Sequence, residues 1–252
     1  MLFDTHAHYD DKQFNPDRDA LLSAMPENGI SLIVNASSNL KSAEASLELA
    51  GIYPFLFAAV GVHPHDAKTM DENTINRLGA LIKHPKAVAV GEIGLDYYYD
   101  HSPRDIQKRR FREQLDLAGS VHKPVIIHER EATRDVLDIL GDYPEVRGVF
   151  HCYSGSWETA KHLLDRGWYL SFTGVITFKN ARRSHEVITK MPRDRIMIET
   201  DSPYLAPEPM RGRRNSSLYL RYVAEKLGEI LGISFNEAAA LTTDNGKRFF
   251  GL

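Results

Sequence analysis

Short apolar runs alternate with longer helical patterns along the whole of this 252-residue chain. That alternation limits the fold more than any single motif does. The strand-like runs fall at 2–8, 30–35, 55–62, 87–92, 124–128, 148–151, 168–172 and 195–201. Most are nearly continuous in Val, Ile, Leu and Phe, the pattern of strands buried on both faces. Between them the spacing of Leu, Ala and Met predicts helices at 17–27, 40–50, 73–83, 103–122, 133–140 and 157–165, with another through 185–190. Two more, 218–231 and 236–250, close the chain. Strict alternation of this kind argues a parallel sheet. Eight units in about 250 residues favour a (β/α)8 TIM barrel, read as one domain over residues 1–252. No Gly-x-Gly-x-x-Gly follows a strand, which removes support for a doubly wound dinucleotide-binding fold. Local signals mark the boundaries: Gly29 stops the first helix, Ser102 and Asp105 are predicted to cap the fourth, and Ser234 with Glu237 forms a capping box.

Charge and cysteine usage narrow the setting. The net charge of -3 offers no global basic field for nucleic acid, which leaves room only for a local patch. Cys152 is the one cysteine, so no disulfide forms within the chain, and a reducing cytoplasm is the expected compartment. Asp4, His6 and His8 interrupt the N-terminus before a signal-peptide core could form, and no run approaches the ~20 apolar residues of a membrane span. Nothing in the composition calls for a membrane or an obligate protein partner.

The strand ends carry the chemistry. Asp4-Thr5-His6-Ala7-His8 places two imidazoles one residue apart, hence on one face of a strand. The other strands end in Asn35, His63, Glu92, His128, His151 and Asp201, and only the seventh lacks a polar terminus. In a barrel these ends converge on one mouth, where the active sites of the fold sit. Crowded ionisable groups there are costly to desolvate, and a cation is the natural compensation. His6, His8, Glu92, His128, His151 and Asp201 are too many ligands for one tetrahedral catalytic ion. They suit two divalent cations sharing a carboxylate, with Glu92 the candidate bridge. Asp201 is placed to ligate one ion and to orient or deprotonate a water, so Asp201 and Glu92 are the candidate catalytic residues. The mixed donors admit zinc, iron, magnesium or manganese. Cys152, next to His151, is expected on the opposite face, in the core.

Two basic loops suggest the substrate. The stretch 177–183 carries Lys179, Arg182 and Arg183, and 208–215 carries Arg211, Arg213 and Arg214. Arginine suits bidentate phosphate contacts, and Arg211 is the strongest candidate. Tyr97, Tyr98, Tyr99, Tyr153 and Tyr204 lie just past strand ends, where rings beside a basic groove could stack the bases of a single strand.

The motifs in their order resemble the TatD family of metal-dependent deoxyribonucleases over essentially the full length. They are Asp4-Thr5-His6-Ala7-His8, Gly61-Val62-His63-Pro64-His65, Gly91 to Tyr97, Ile127-His128 with Arg130 and Ala132, Phe150 to Gly155, and Glu199 to Pro207 running on to Arg211-Gly212 and Asn215. The resemblance implies a (β/α)8 hydrolase that cleaves phosphodiester bonds in DNA, single-stranded or at an end. It implies one metal at His6, His8, Glu92 and Asp201 and a second at Glu92, His128 and His151, with His63 facing the site toward substrate phosphate. Two stretches depart from the family pattern: Ser216 and Ser217 follow Asn215 where a proline usually closes the run, and Tyr99 stands where a charged or polar residue is common. A hydrolase of small phosphoesters, lactones or amides on the same barrel is the alternative, and a non-enzymatic metal- or nucleic-acid-binding protein is a third reading.

Overall fold

The computed structural model describes residues 1–252. Its strands are β1 (Leu2–Ala7), β2 (Ile30–Ala36), β3 (Leu56–Ala59), β4 (Ala87–Asp96), β5 (Val125–Arg130), β6 (Gly148–Phe150), β7 (Tyr169–Phe172) and β8 (Ile196–Ile198). Its helices are α1 (Arg18–Ser23), α2 (Leu40–Ile52), α3 (Glu72–Leu81), α4 (Arg104–Val121), α5 (Thr133–Gly141), α6 (Trp157–Asp165), α7 (Arg182–Lys190), α8 (Leu220–Leu231) and α9 (Phe235–Phe250). The strands form one sheet in chain order, β1 to β8, each parallel ladder separated from the next by a helix. Ala7 bridges Ser202 in parallel, and the Asp201 N–H donates to the His6 carbonyl at 2.9 Å, which joins the end of the sheet to its beginning. This is the (β/α)8 barrel expected from the alternation. No helix is long and apolar enough to cross a membrane.

The chain packs as two compact units, residues 1–35 with 151–252, and residues 36–150. In the first, α9 lies against β1 and β8. Phe3 and Phe250 meet at 5.8 Å, and Phe249 packs on Tyr169 at 5.0 Å. Beneath them the Asp4 carboxylate is fully buried and accepts from the Thr200 N–H and hydroxyl and from the Ser217 hydroxyl, at 2.6 to 2.9 Å. Burial outweighs these bonds and pushes the Asp4 carboxyl up to about 6. Ser217 thus donates to a core acid and also accepts from the Tyr9 hydroxyl at 2.8 Å.

In the second unit the β4–β5 ladder is the spine. All ten residues of β4 are buried, and β5 pairs with it from Val90↔Val125 to Asp96↔Arg130. Phe111 and Leu115 of α4 are fully buried in this unit, each contributing about 2–3 kcal/mol by removal from water. Gly94 adopts φ +146°, and a Cβ there would lie 1.9 Å from the His128 carbonyl oxygen. Only glycine permits that close approach of β4 to β5.

Local boundaries differ from the sequence reading at five places. β4 runs to Asp96 rather than stopping at Glu92, because Ile93 and Leu95 continue the buried ladder. β3 ends at Ala59, three residues short of the expected end, and β8 at Ile198, so Asp201 stands beyond its strand rather than within it. Helix α1 covers only Arg18–Ser23, with a separate turn at Pro26–Asn28 before Gly29. Ser102 does not cap α4. Its hydroxyl donates to the His65 carbonyl and accepts the Lys68 N–H, tying the segment after β3 to the loop before α4. The Ser234–Glu237 capping box forms as expected.

Candidate metal centre

The first unit gathers five of the polar side chains. The alternation of β1 brings His6 and His8 to one side, and their Nε2 atoms lie 3.1 Å apart. Asp201 sits at φ +56° just past β8 and points its Oδ1 to within 3.2 Å of His8 Nε2 and 3.6 Å of His6 Nε2. A tetrahedral ion with bonds of about 2.0–2.1 Å has donor–donor edges of roughly 3.4 Å. The three atoms therefore form a triangle of the size such an ion spans. The His151 ring stacks on His6 at 4.2 Å, and its Nδ1 lies 3.2 Å from Oε1 of the buried Glu199. His6, His151 and Glu199 form a second close group of donors. Burial pushes the Asp201 carboxyl up, but the contact with His8 and the nearby His151 and His6 outweigh it and hold it below its usual value.

The second unit gathers a matching set. Oε1 of Glu92, a buried residue, lies 2.8 Å from His128 Nδ1 and 3.6 Å from His63 Nε2. The other His128 nitrogen, Nε2, lies 3.0 Å from Asp96 Oδ2, which also meets His65 Nε2 at 2.9 Å. Burial acts to raise the Asp96 carboxyl, yet the contacts with His128 and His65 and the Tyr99 N–H hold it well below the usual carboxylate range. Imidazoles and carboxylates packed at these distances, largely out of water, are the donor chemistry of a divalent cation such as zinc or manganese. The residues present fit such an ion.

Of the eight residues singled out from the sequence, His6, His8, His151 and Asp201 stand together in the first unit. His63, Glu92 and His128 stand together in the second. Arg211 is elsewhere: it lies on the surface, pairs with Glu208 at 3.7 Å and stacks on Phe178 at 4.7 Å. Of the other loop arginines, Arg214 is a structural residue, bound to Asp17 and the Gln13 carbonyl and lying over Phe14. Cys152 lies outside any strand at φ +45°, with its thiol 3.4 Å from the Thr173 hydroxyl. Burial pushes that thiol up to about 12, so it stays protonated. Three chemically placed residues escaped the sequence reading: Glu199, Asp96 and His65. For Asp96 a signal was present: it stands four residues after Glu92 on the same strand, the parity that paired His6 with His8. Glu199 and His65 lie beyond β8 and β3, where spacing carries no such signal.

Buried imidazole–carboxylate clusters at the strand ends of a (β/α)8 barrel define the class of metal-dependent hydrolases. The family model for TatD related DNases matches residues 3–251, and the chain belongs to that family. A relative from Bacillus subtilis (strain 168), named as the uncharacterized metal-dependent hydrolase YabD, is 43% identical over the whole length of both chains. A relative from Erwinia tasmaniensis, named as a 3'-5' ssDNA/RNA exonuclease TatD, is 31% identical, again over both full lengths. Among solved structures, the TatD homologue YJJV from Escherichia coli K12 superposes with a TM-score of 0.93 at 29% identity, covering 100% of this chain and 98% of the other. The protein is a metal-dependent hydrolase of the TatD family.

Proposed function

We propose that the protein hydrolyses phosphodiester bonds in DNA, working on single-stranded substrate or at an end, with two divalent cations. The observation that carries the reading is the triangle of His6, His8 and Asp201, whose edges of 3.1 to 3.6 Å match one ion. Glu92, His128 and His151 complete the proposed ligand set, with Glu92 shared between the ions. Zinc, magnesium and manganese all suit these donors. When bound, such ions polarise a phosphoryl oxygen and make water more acidic.

The chain's own residues take the remaining tasks. Asp201 Oδ1 faces the two histidines, so Oδ2 is the atom assigned to accept a proton from the attacking water. His63, whose Nε2 lies 3.6 Å from Glu92, is the residue we assign to meet a phosphate oxygen. Arg211 offers a more distant, surface contact to the backbone of a longer substrate. The name of the Erwinia relative supports single-stranded nucleic acid as the substrate class.

The test removes the metal by chelation, restores one cation at a time, and offers single-stranded DNA, duplex DNA and a small lactone. Metal-dependent release of nucleotides from single-stranded DNA is expected. Hydrolysis of the lactone alone would overturn the substrate assignment in favour of the small-ester reading.

A further inference from the structure

Three consecutive tyrosines follow β4, and they are not equivalent. Tyr97 is tied down: its hydroxyl donates to Asp135 at 2.6 Å, and Arg104 lies 4.2 Å from its ring. Tyr98 and Tyr99 are 54% and 49% exposed. They meet edge to face at 4.9 Å. The Arg130 guanidinium lies 4.0 Å from the Tyr98 ring centre and 4.8 Å from that of Tyr99. His101 stacks on Tyr99 with 5.5 Å between ring centres and an interplanar angle of 19°.

The metal-centre residues hold this group in place. Asp96 Oδ1 accepts the N–H groups of Tyr98 and Tyr99 at 3.0 and 2.8 Å, while its Oδ2 meets His65 and His128. His65 stands edge-on to Tyr99 at 5.3 Å. The Tyr97 N–H donates to the Arg130 carbonyl at 2.9 Å, so the cation is carried on the same rigid ladder. The nearby Asp100 is neutralised by Arg104 at 2.7 Å. The result is an exposed ring, backed by a guanidinium, one carboxylate away from His128.

We propose that Tyr98, backed by Arg130, is a stacking platform for a nucleobase of single-stranded DNA next to the bond that is cleaved. The proposal rests on the phosphodiesterase reading for its substrate and adds the residues that grip a base. Every base has a π-face, so such a platform binds without sequence preference. Arg130 stacks on the rings rather than on a carboxylate, which leaves its charge available to the neighbouring phosphates. A lactone or a simple phosphoester would leave the platform unused.

The test measures binding apart from cleavage, by fluorescence anisotropy of the full, metal-loaded protein with a labelled eight-nucleotide oligothymidylate whose phosphorothioate linkages resist hydrolysis. Tyr98→Ala is expected to weaken binding about 10-fold, the effect of losing one stacked base. Tyr98→Phe should bind as the parent does. An oligomer of the same length built from abasic units should bind parent and Tyr98→Ala equally. Equal binding of the oligothymidylate by parent and Tyr98→Ala would overturn the platform, as would an equal loss on the abasic oligomer. If the binding contrast holds while no DNA is cleaved under any metal, the platform stands and the phosphodiesterase reading fails.

Discussion

One oxygen of Asp96 lies 3.0 Å from Nε2 of His128, while the opposite ring nitrogen of His128 lies 2.8 Å from Glu92. The ring is thus fixed at both ends, and Asp96 sets which nitrogen is turned toward Glu92. Carboxylates that orient a ligating histidine are worth 10- to 100-fold in metal affinity or activity. Asp96→Ala is therefore expected to lower metal retention on dialysis by about 10-fold or more. Metal analysis of the dialysed variant checks it, and parent-like retention would refute the orienting role.

Asp201 and Glu92 are the two carboxylates to which the proposed reaction assigns the most. Asp201→Asn keeps the shape and removes the proton acceptor, so turnover is expected to fall by about 10² to 10⁴. Glu92→Ala removes the proposed bridging ligand and should abolish metal-dependent hydrolysis. Circular dichroism should show the barrel intact in both. Normal turnover by either purified variant would contradict the mechanism.

Stability should depend on pH through Asp4, whose carboxyl is raised from 3.8 to about 6 in the folded chain. The folded state keeps this proton up to about pH 6, whereas the unfolded chain releases it near 3.8. Between those values the native state binds more protons, so this contribution is complete below pH 3.8 and is lost as pH rises through 6. The loss amounts to roughly 3 kcal/mol. Denaturant unfolding of the parent and of Asp4→Asn isolates it from the other carboxylates. The parent should gain on the variant as pH falls from 7.5 toward 4, and a constant difference would disprove the assignment.

Gly94 faces the His128 carbonyl with no room for a Cβ. Gly94→Ala must push β4 away from β5 where His128 and Asp96 are held, at a cost on the order of 3 kcal/mol. A lowered melting temperature with reduced metal retention is expected. An unchanged melting temperature would show that the ladder tolerates the shift.

Arg211 is exposed and meets only Glu208 and the Phe178 ring, so it contributes little to the fold. Arg211→Ala should leave the melting temperature unchanged and raise KM for an oligonucleotide by about 10-fold, the value of one charged hydrogen bond. An unaltered KM would remove it from the substrate path.

The order of strands and helices was legible because both periods are local properties of the chain. A run of β-branched residues buried on two faces reads the same wherever it lands. The metal candidates were legible for a similar reason, since each stands at the end of such a run, and His6 and His8 share a face by parity alone. Glu199 carries no local sign of its role, because its partner His151 is 48 residues away and only the fold sets the two side by side. Asp96 is hidden because the apolar run breaks at Glu92, and only the pairing of Leu95 and Asp96 with β5 shows that the strand continues.

The sequence alone therefore determined the alternating elements, the parity of the strand-end residues and the inventory of donors, because each depends on neighbours a few residues away. Only the tertiary structure decided which donors meet. Asp201 reaches His8 across 193 positions of sequence, and Asp96 gathers His65, His128 and two tyrosine amides from three segments. It also separated arginines that look alike in the sequence, placing Arg214 on Asp17 and Phe14, Arg211 at the surface and Arg130 behind Tyr98. The physical reason is that ligation, ion pairing and stacking act over a few ångströms in space, and closing the sheet from β8 to β1 brings the first and last strands within that range.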